Sequence, residues 1–186
     1  MTSADRIPRV LVHDGAPDSL IAILRQRHPD VPVTACSTYM GLASALSASR
    51  ADVVYSVRFS GASGFPRSPL VEDSNVRWIA VGGSGTDHLA PWDPTRVTVT
   101  NSAGVAAETM SQYVIGAMLH FALDVPGLER DRMNRRWQPR KIAPLDGKTL
   151  LIIGLGHTGR AIARRAKGFG LNRLDTSAPI PDAIRG

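Results

Sequence analysis

Apolar positions in the first hundred residues fall into short β-branched runs separated by stretches with helical spacing. Val10-Leu11-Val12 predicts a strand ending at Asp14-Gly15, and Asp18 is expected to cap a helix over Ser19 to Arg27, with Leu20, Ile23 and Leu24 on one face. Val31 to Thr34 predicts a second strand, Leu42 to Ser49 a helix, Asp52 to Val57 a third strand, Val76 to Val81 a fourth and Val97 to Asn101 a fifth. Strands alternating with helices predict a parallel sheet with right-handed crossovers. From Val105 to Leu123 the pattern changes: the segment is apolar almost all round, which predicts a helix buried between layers or subunits, stopping at Val125-Pro126-Gly127. His120, its late polar interruption, is expected to be an interface or core histidine. An Arg-rich arm with Trp137 then runs through Pro139 and Pro144 to a turn at Asp146-Gly147.

That turn launches Leu150-Leu151-Ile152-Ile153, an apolar strand feeding Gly154-Leu155-Gly156-His157-Thr158-Gly159 and a helix rich in Ala and Arg. In a G-x-G-x-x-G unit the first Gly permits the tight turn, the second lets a pyrophosphate approach the backbone, and the third lets helix and strand pack closely. The helix N-terminus, with free N–H groups and partial positive charge, would hold the phosphate. The alternative is a plain glycine turn in some other α/β unit.

Open parallel sheets bind ligands beyond the carboxyl ends of their strands. Arg58 follows the third predicted strand, Gly82-Gly83-Ser84-Gly85 the fourth, and Asn101-Ser102-Ala103-Gly104 the fifth. A Gly/Ser loop of this kind either exposes backbone N–H groups to a carboxylate or phosphate oxygen or is an ordinary tight connection. Arg58 either supplies a matching charge or makes a surface ion pair.

Composition narrows the choice. The chain has 186 residues, 43% of them apolar, enough for one medium domain or two small ones. It has no run of 18 apolar residues, and Met1 to Asp14 lacks a secretory pattern, so a cytoplasmic protein without membrane association is expected. The single Cys36 excludes an internal disulfide and leaves no second Cys for a metal pair. The net charge of +6 is unevenly placed: residues 127–173 hold 12 Lys or Arg against Glu129, Asp131 and Asp146, a local excess of +9. That excess fits a phosphate footprint or an arm meeting an acidic partner surface. With Trp137 as the arm's one aromatic residue, nucleic acid is the less favoured partner.

Taken in order, Gly-Ser-Gly-Thr-Asp-His-Leu at 83–89, Asn-Ser-Ala-Gly at 101, the apolar helix, the Arg/Trp arm and Asp-Gly-Lys-Thr-Leu-Leu-Ile-Ile-Gly-Leu-Gly-His-Thr-Gly-Arg resemble the D-isomer-specific 2-hydroxyacid dehydrogenases. The resemblance implies an α/β fold: a flavodoxin-like parallel-sheet substrate domain over 1–100, then a hinge helix, arm and the first part of a Rossmann cofactor domain over 101–186. It implies NAD or NADP as cofactor, a small 2-hydroxy or 2-oxo acid as substrate (glyoxylate/hydroxypyruvate-type reductase), and a homodimer through the 105–124 helix and 128–141 arm. Carried over by position, Arg58, Ser84 and Gly85 would bind the substrate carboxylate. Gly154, Gly156, His157, Thr158 and Gly159 would bind pyrophosphate, His157 and Thr158 through their backbones, with Thr109 near the nicotinamide. Gln112 departs from the family's usual Glu, and His88 matches a structural position.

The resemblance also implies that the family's catalytic Arg, Glu and His fall beyond Gly186, so that this chain alone, as a truncated member, is expected to be inactive. The residue that takes the ribose hydroxyls would be Ser177, which leans toward NADP, or Asp175 in another register, which leans toward NAD. A non-catalytic dimerisation or nucleotide-binding module is the competing reading.

Overall fold

The computed structural model describes residues 6–175, which form two compact units divided between Ala103 and Gly104. Unit 1 is an α/β unit with five parallel strands: β1 (Val10–His13), β2 (Val33–Cys36), β3 (Val53–Ser56), β4 (Trp78–Val81) and β5 (Thr98–Asn101), in the order β2-β1-β3-β4-β5. That order is the flavodoxin-like one, and it reverses at the β1/β3 boundary. Register places His13 beside Cys36 and Ser56, Ser56 beside Val81, and Val81 beside Asn101. These five residues therefore form one row at the carboxyl edge.

One face of the sheet is dry. Leu11, Val54 and Ile79 are fully buried there together with Leu42 and Leu46 of α2 (Leu42–Ser49) and Leu70 of α3 (Arg67–Glu72). The other face carries α1 (Asp18–Arg27), with Ile21 buried beneath it. Asp18 is the first helical residue rather than the cap: Pro17 holds that position, at φ −75°, a value its ring presets. The second strand starts two residues later than the apolar run suggests. Pro32 lacks an N–H and cannot join the ladder, and its carbonyl instead accepts from Val10 N–H at 2.9 Å. The pattern gave no sign of α3, whose six residues include Pro69 and are too few to show a helical period.

Unit 2 contains α4 (Ala107–Ala122), α5 (Val125–Met133), β6 (Thr149–Ile152), α6 (His157–Gly168) and β7 (Asn172–Asp175); β6 and β7 pair in parallel. Ile115, Leu145, Ala166 and Leu171 form its core, with Met118, Leu119 and Leu150 against them. Within one chain only part of this apolar helix is buried. In α4 the buried positions are Ala107, Ser111 and Ile115, one stripe at a spacing of four, while Tyr113 is 72% and Phe121 76% exposed. His120 is likewise exposed, its ring edge-on to Phe121, rather than buried in a core.

Val125-Pro126-Gly127 opens α5 instead of ending α4. Asp124, in the left-handed region at φ 48°, breaks the first helix, and its carboxylate accepts from Gly127 N–H at 3.2 Å to cap the second. Several basic side chains are paired within the unit. Arg140 bridges Asp124 and Asp131, Arg132 pairs with Glu129 at 2.5 Å, and Glu108 takes Arg164 at 2.6 Å and Arg165 at 2.5 Å. Those bonds hold the Glu108 carboxyl below its ordinary value, the Arg165 hydrogen bond most of all.

Candidate functional site

In unit 1 the chain leaves β4 into Gly82-Gly83-Ser84-Gly85. Gly82 is sterically required: a Cβ there would come within 3.0 Å of the Tyr55 phenol and Val57 Cγ1. Gly83 has nothing within 4 Å of a Cβ and Gly85 only an Asp87 oxygen at 3.9 Å, so the loop backbone is uncovered. Ser102 N–H donates to the Gly83 carbonyl and the Asn101 amide to the Ser84 carbonyl, each at 2.9 Å. Both carbonyls are thereby turned back into the protein. Among the described residues no acceptor lies within hydrogen-bond reach of the N–H groups of Ser84 and Gly85.

A cavity of about 390 Å³ opens against this loop, lined by Val57, Arg58, Gly82, Gly83, Gly85, Asp87 and His88. Ser84 belongs to the loop but does not line the cavity. Arg58 makes no ion pair among the described residues, against the surface-pair alternative. Unpaired cation and free N–H donors together suit a carboxylate.

Behind the cavity is a cluster that sequence reading did not single out. His13 and Ser56, neighbours in the β1–β3 register, are buried and joined Nδ1 to Oγ at 2.9 Å. Around His13 lie Phe59 at 4.7 Å and Tyr39 at 5.6 Å between ring centroids, and the Tyr39 hydroxyl accepts from Phe59 N–H at 2.7 Å. Burial pushes the His13 imidazole below its ordinary value, so the ring is neutral. The available signal was strand-end position alone.

Unit 2 presents the glycine turn between β6 and α6. Gly154 sits at φ +91°, a region that L side chains rarely adopt. Gly156 is the residue before α6, extended at φ −69° and ψ −165°, and a Cβ there would meet nothing within 4 Å. Gly159 is buried, and a Cβ would strike the Gly154 carbonyl oxygen inside 3.0 Å. Gly154 thus makes the turn, Gly159 lets helix meet strand, and the outer side is open at both Gly154 and Gly156. Among the described residues no side chain caps α6, which leaves its first-turn N–H groups for a ligand or solvent. A dinucleotide's pyrophosphate fits this cradle.

The other expected residues are placed as follows. His157 and Thr158 are the first two residues of α6, and the His157 ring abuts Gly104, where a Cβ would lie 3.0 Å from its Cγ. Thr109 is exposed in the first turn of α4. Asp175 ends β7 opposite Ile152. Ser177 lies outside the described residues.

A flavodoxin-like parallel unit and, in the second unit, a strand, glycine turn and helix define an α/β protein with a turn of the nucleotide-binding type. Residues 115–179 match the model of the family described as "D-isomer specific 2-hydroxyacid dehydrogenase, NAD binding domain". A glyoxylate reductase of Korarchaeum cryptofilum is 35% identical over 109 residues, covering 53% of this chain and 32% of that protein. Among solved structures, a D-isomer specific 2-hydroxyacid dehydrogenase family protein from Aeromonas salmonicida superposes with a TM-score of 0.77 at 23% identity, covering 91% of this chain and 53% of that one. A second, from Xanthobacter autotrophicus Py2 in complex with NADPH and MES, has a TM-score of 0.66 at 18% identity, covering 89% and 53%. Over residues 115–179 the chain is similar to the NAD binding domain of the D-isomer specific 2-hydroxyacid dehydrogenases, and over most of its length it shares their fold. It spans about a third of the glyoxylate reductase and about half of the two solved chains.

Proposed function

We propose that this chain carries the two ligand cradles of an NAD(P)-dependent 2-hydroxyacid dehydrogenase of the glyoxylate/hydroxypyruvate reductase kind. Arg58 and the N–H groups of Ser84 and Gly85 bind the carboxylate of a small 2-oxo or 2-hydroxy acid. Gly154, Gly156 and Gly159 shape the turn, the backbones of His157 and Thr158 bind pyrophosphate, and Thr109 serves the nicotinamide end. Asp175 or Ser177 meets the ribose and decides between NAD and NADP. When bound, the nicotinamide supplies or accepts the hydride. The observation that carries this reading is the division of labour among the three glycines: Gly154 turns at positive φ, Gly159 admits no Cβ against the Gly154 carbonyl, and Gly156 stands at the helix start with open space where a Cβ would be.

By itself the chain does not turn over in this reading. General acid–base catalysis needs a positioned group, and in this family it is a histidine held by a carboxylate. Among the described residues no carboxylate lies within 4.0 Å of His13, His28, His88, His120 or His157. Calorimetry with NADH and NADPH, paired with a turnover assay on glyoxylate, tests both halves: binding without turnover is expected.

The exposed apolar residues of unit 2 favour a second role beside the first. Tyr113 and Phe121 of α4, with Met133 and the 94%-exposed Trp137 of the arm, form the kind of surface that a second copy of the chain covers in a homodimer. A purely non-catalytic dimerisation module would show the dimer without the dinucleotide binding.

A further inference from the structure

One polar side chain of the unit 1 cavity remains without a task. His88 lies in the 3₁₀ turn Asp87–Leu89 and lines the cavity, its ring edge-on to Phe65 with centroids 4.6 Å apart. Its Nε2 is buried and has no hydrogen-bond partner among the described residues, which leaves Nδ1 as the ring nitrogen open to a ligand. An orphan N–H inside a protein is rarer and costlier than an unfilled lone pair, so the neutral ring keeps its proton on Nδ1.

Burial first, and the neighbouring cation second, favour the neutral ring. Burial lowers the His88 imidazole below its ordinary value, the Arg58 charge adds to this, and Asp87 opposes both. From α3, Arg67 spends its guanidinium on the carbonyls of Leu89, Ala90 and Pro91. On the far side of Phe65 the buried His13 brings no charge. The cavity wall therefore holds one fixed cation, Arg58, and one carboxylate, Asp87, which suits a monoanion better than a phosphorylated acid.

We propose that His88 is a ligand-contacting residue: its neutral Nδ1–H donates to a carboxylate oxygen of a 2-oxo monocarboxylate held by Arg58 and the N–H groups of Ser84 and Gly85. The inference rests on the carboxylate reading of this loop and adds a side chain to it.

The test uses the full chain and glyoxylate. Long-range ¹H–¹⁵N spectra of the wild type are expected to show the Nδ1–H tautomer of His88, with Nδ1 shifting on saturation. In calorimetry His88→Asn, whose amide nitrogen takes the place of Nδ1, keeps most of the affinity, whereas His88→Phe, which preserves the ring against Phe65, loses about tenfold. An Nε2–H tautomer that ignores saturating glyoxylate, or a folded His88→Phe that binds as the wild type does, overturns the inference and leaves the loop reading standing. A folded wild type that binds no glyoxylate overturns both. Should His88→Phe fail to fold, the wild-type spectra decide.

Discussion

Adding a methyl group at Gly156 and at Gly159 should produce opposite results, although the two positions are three residues apart. At Gly156 the methyl enters open space, and φ −69° with ψ −165° is extended backbone that alanine adopts freely. Alanine is a poorer N-cap than glycine by about 0.5–1 kcal/mol, and it gains about 0.4–1 kcal/mol from a less flexible unfolded chain. These cancel, so Gly156→Ala should unfold within about 0.5 kcal/mol of the wild type. At Gly159 the methyl meets the Gly154 carbonyl oxygen inside 3.0 Å, its carbon at 3.2 Å and Ile152 Cγ2 at 3.3 Å. The obstacle is backbone in a turn already committed to positive φ, so it yields little. An overpacking cost of about 1–3 kcal/mol exceeds the ~1 kcal/mol gained in helix propensity. Urea denaturation should therefore show Gly159→Ala clearly destabilised. Calorimetry with NADH and NADPH should show Gly156→Ala at least about tenfold weaker, ~1.4 kcal/mol, because its methyl occupies the phosphate's approach. If Gly156→Ala binds dinucleotide as tightly as the wild type, the assignment of the turn is wrong.

Three further outcomes follow from unit 1 and the exposed face of unit 2. His13 titrates below its ordinary 6.5 when folded, so its contribution is complete above pH 6.5 and is lost as pH falls toward the folded value; denaturation at pH 7.5 and 5.0 should show the loss, and His13→Asn should flatten it. Gly82→Ala should cost unit 1 about 1–3 kcal/mol, because its methyl meets Tyr55 and Val57; a thermal midpoint equal to wild type would contradict that packing. In light scattering after size exclusion the wild type should be a dimer, and Tyr113→Glu with Phe121→Glu should shift it to monomer; a wild-type monomer at tens of micromolar would end the interface reading.

The sequence was most informative where local chemistry fixes conformation. Leu42–Ser49 was bounded correctly because its small and apolar residues sit between Gly41 and a left-handed Arg50. The glycine turn was legible because positive φ and close approach admit no other residue at Gly154 and Gly159. What could not be read depended on tertiary placement. The burial of α4 along a single stripe is set by what packs on it, which its own composition does not encode. The break at Asp124 came from an aspartate entering the left-handed region to cap the following helix, where Pro126 seemed to be the stop. His13 and Ser56 lie 43 residues apart and meet only through the β1–β3 register, and His88 gains its interest from a cavity that no linear motif describes.

A nicotinamide dinucleotide should touch this chain at the turn between β6 and α6. Backbone amide spectra recorded during titration with NADPH, and separately with NADH, should show saturable shifts concentrated at Gly154, Gly156, His157 and Thr158. Shifts confined to other segments, or none at millimolar dinucleotide in a folded sample, would contradict it.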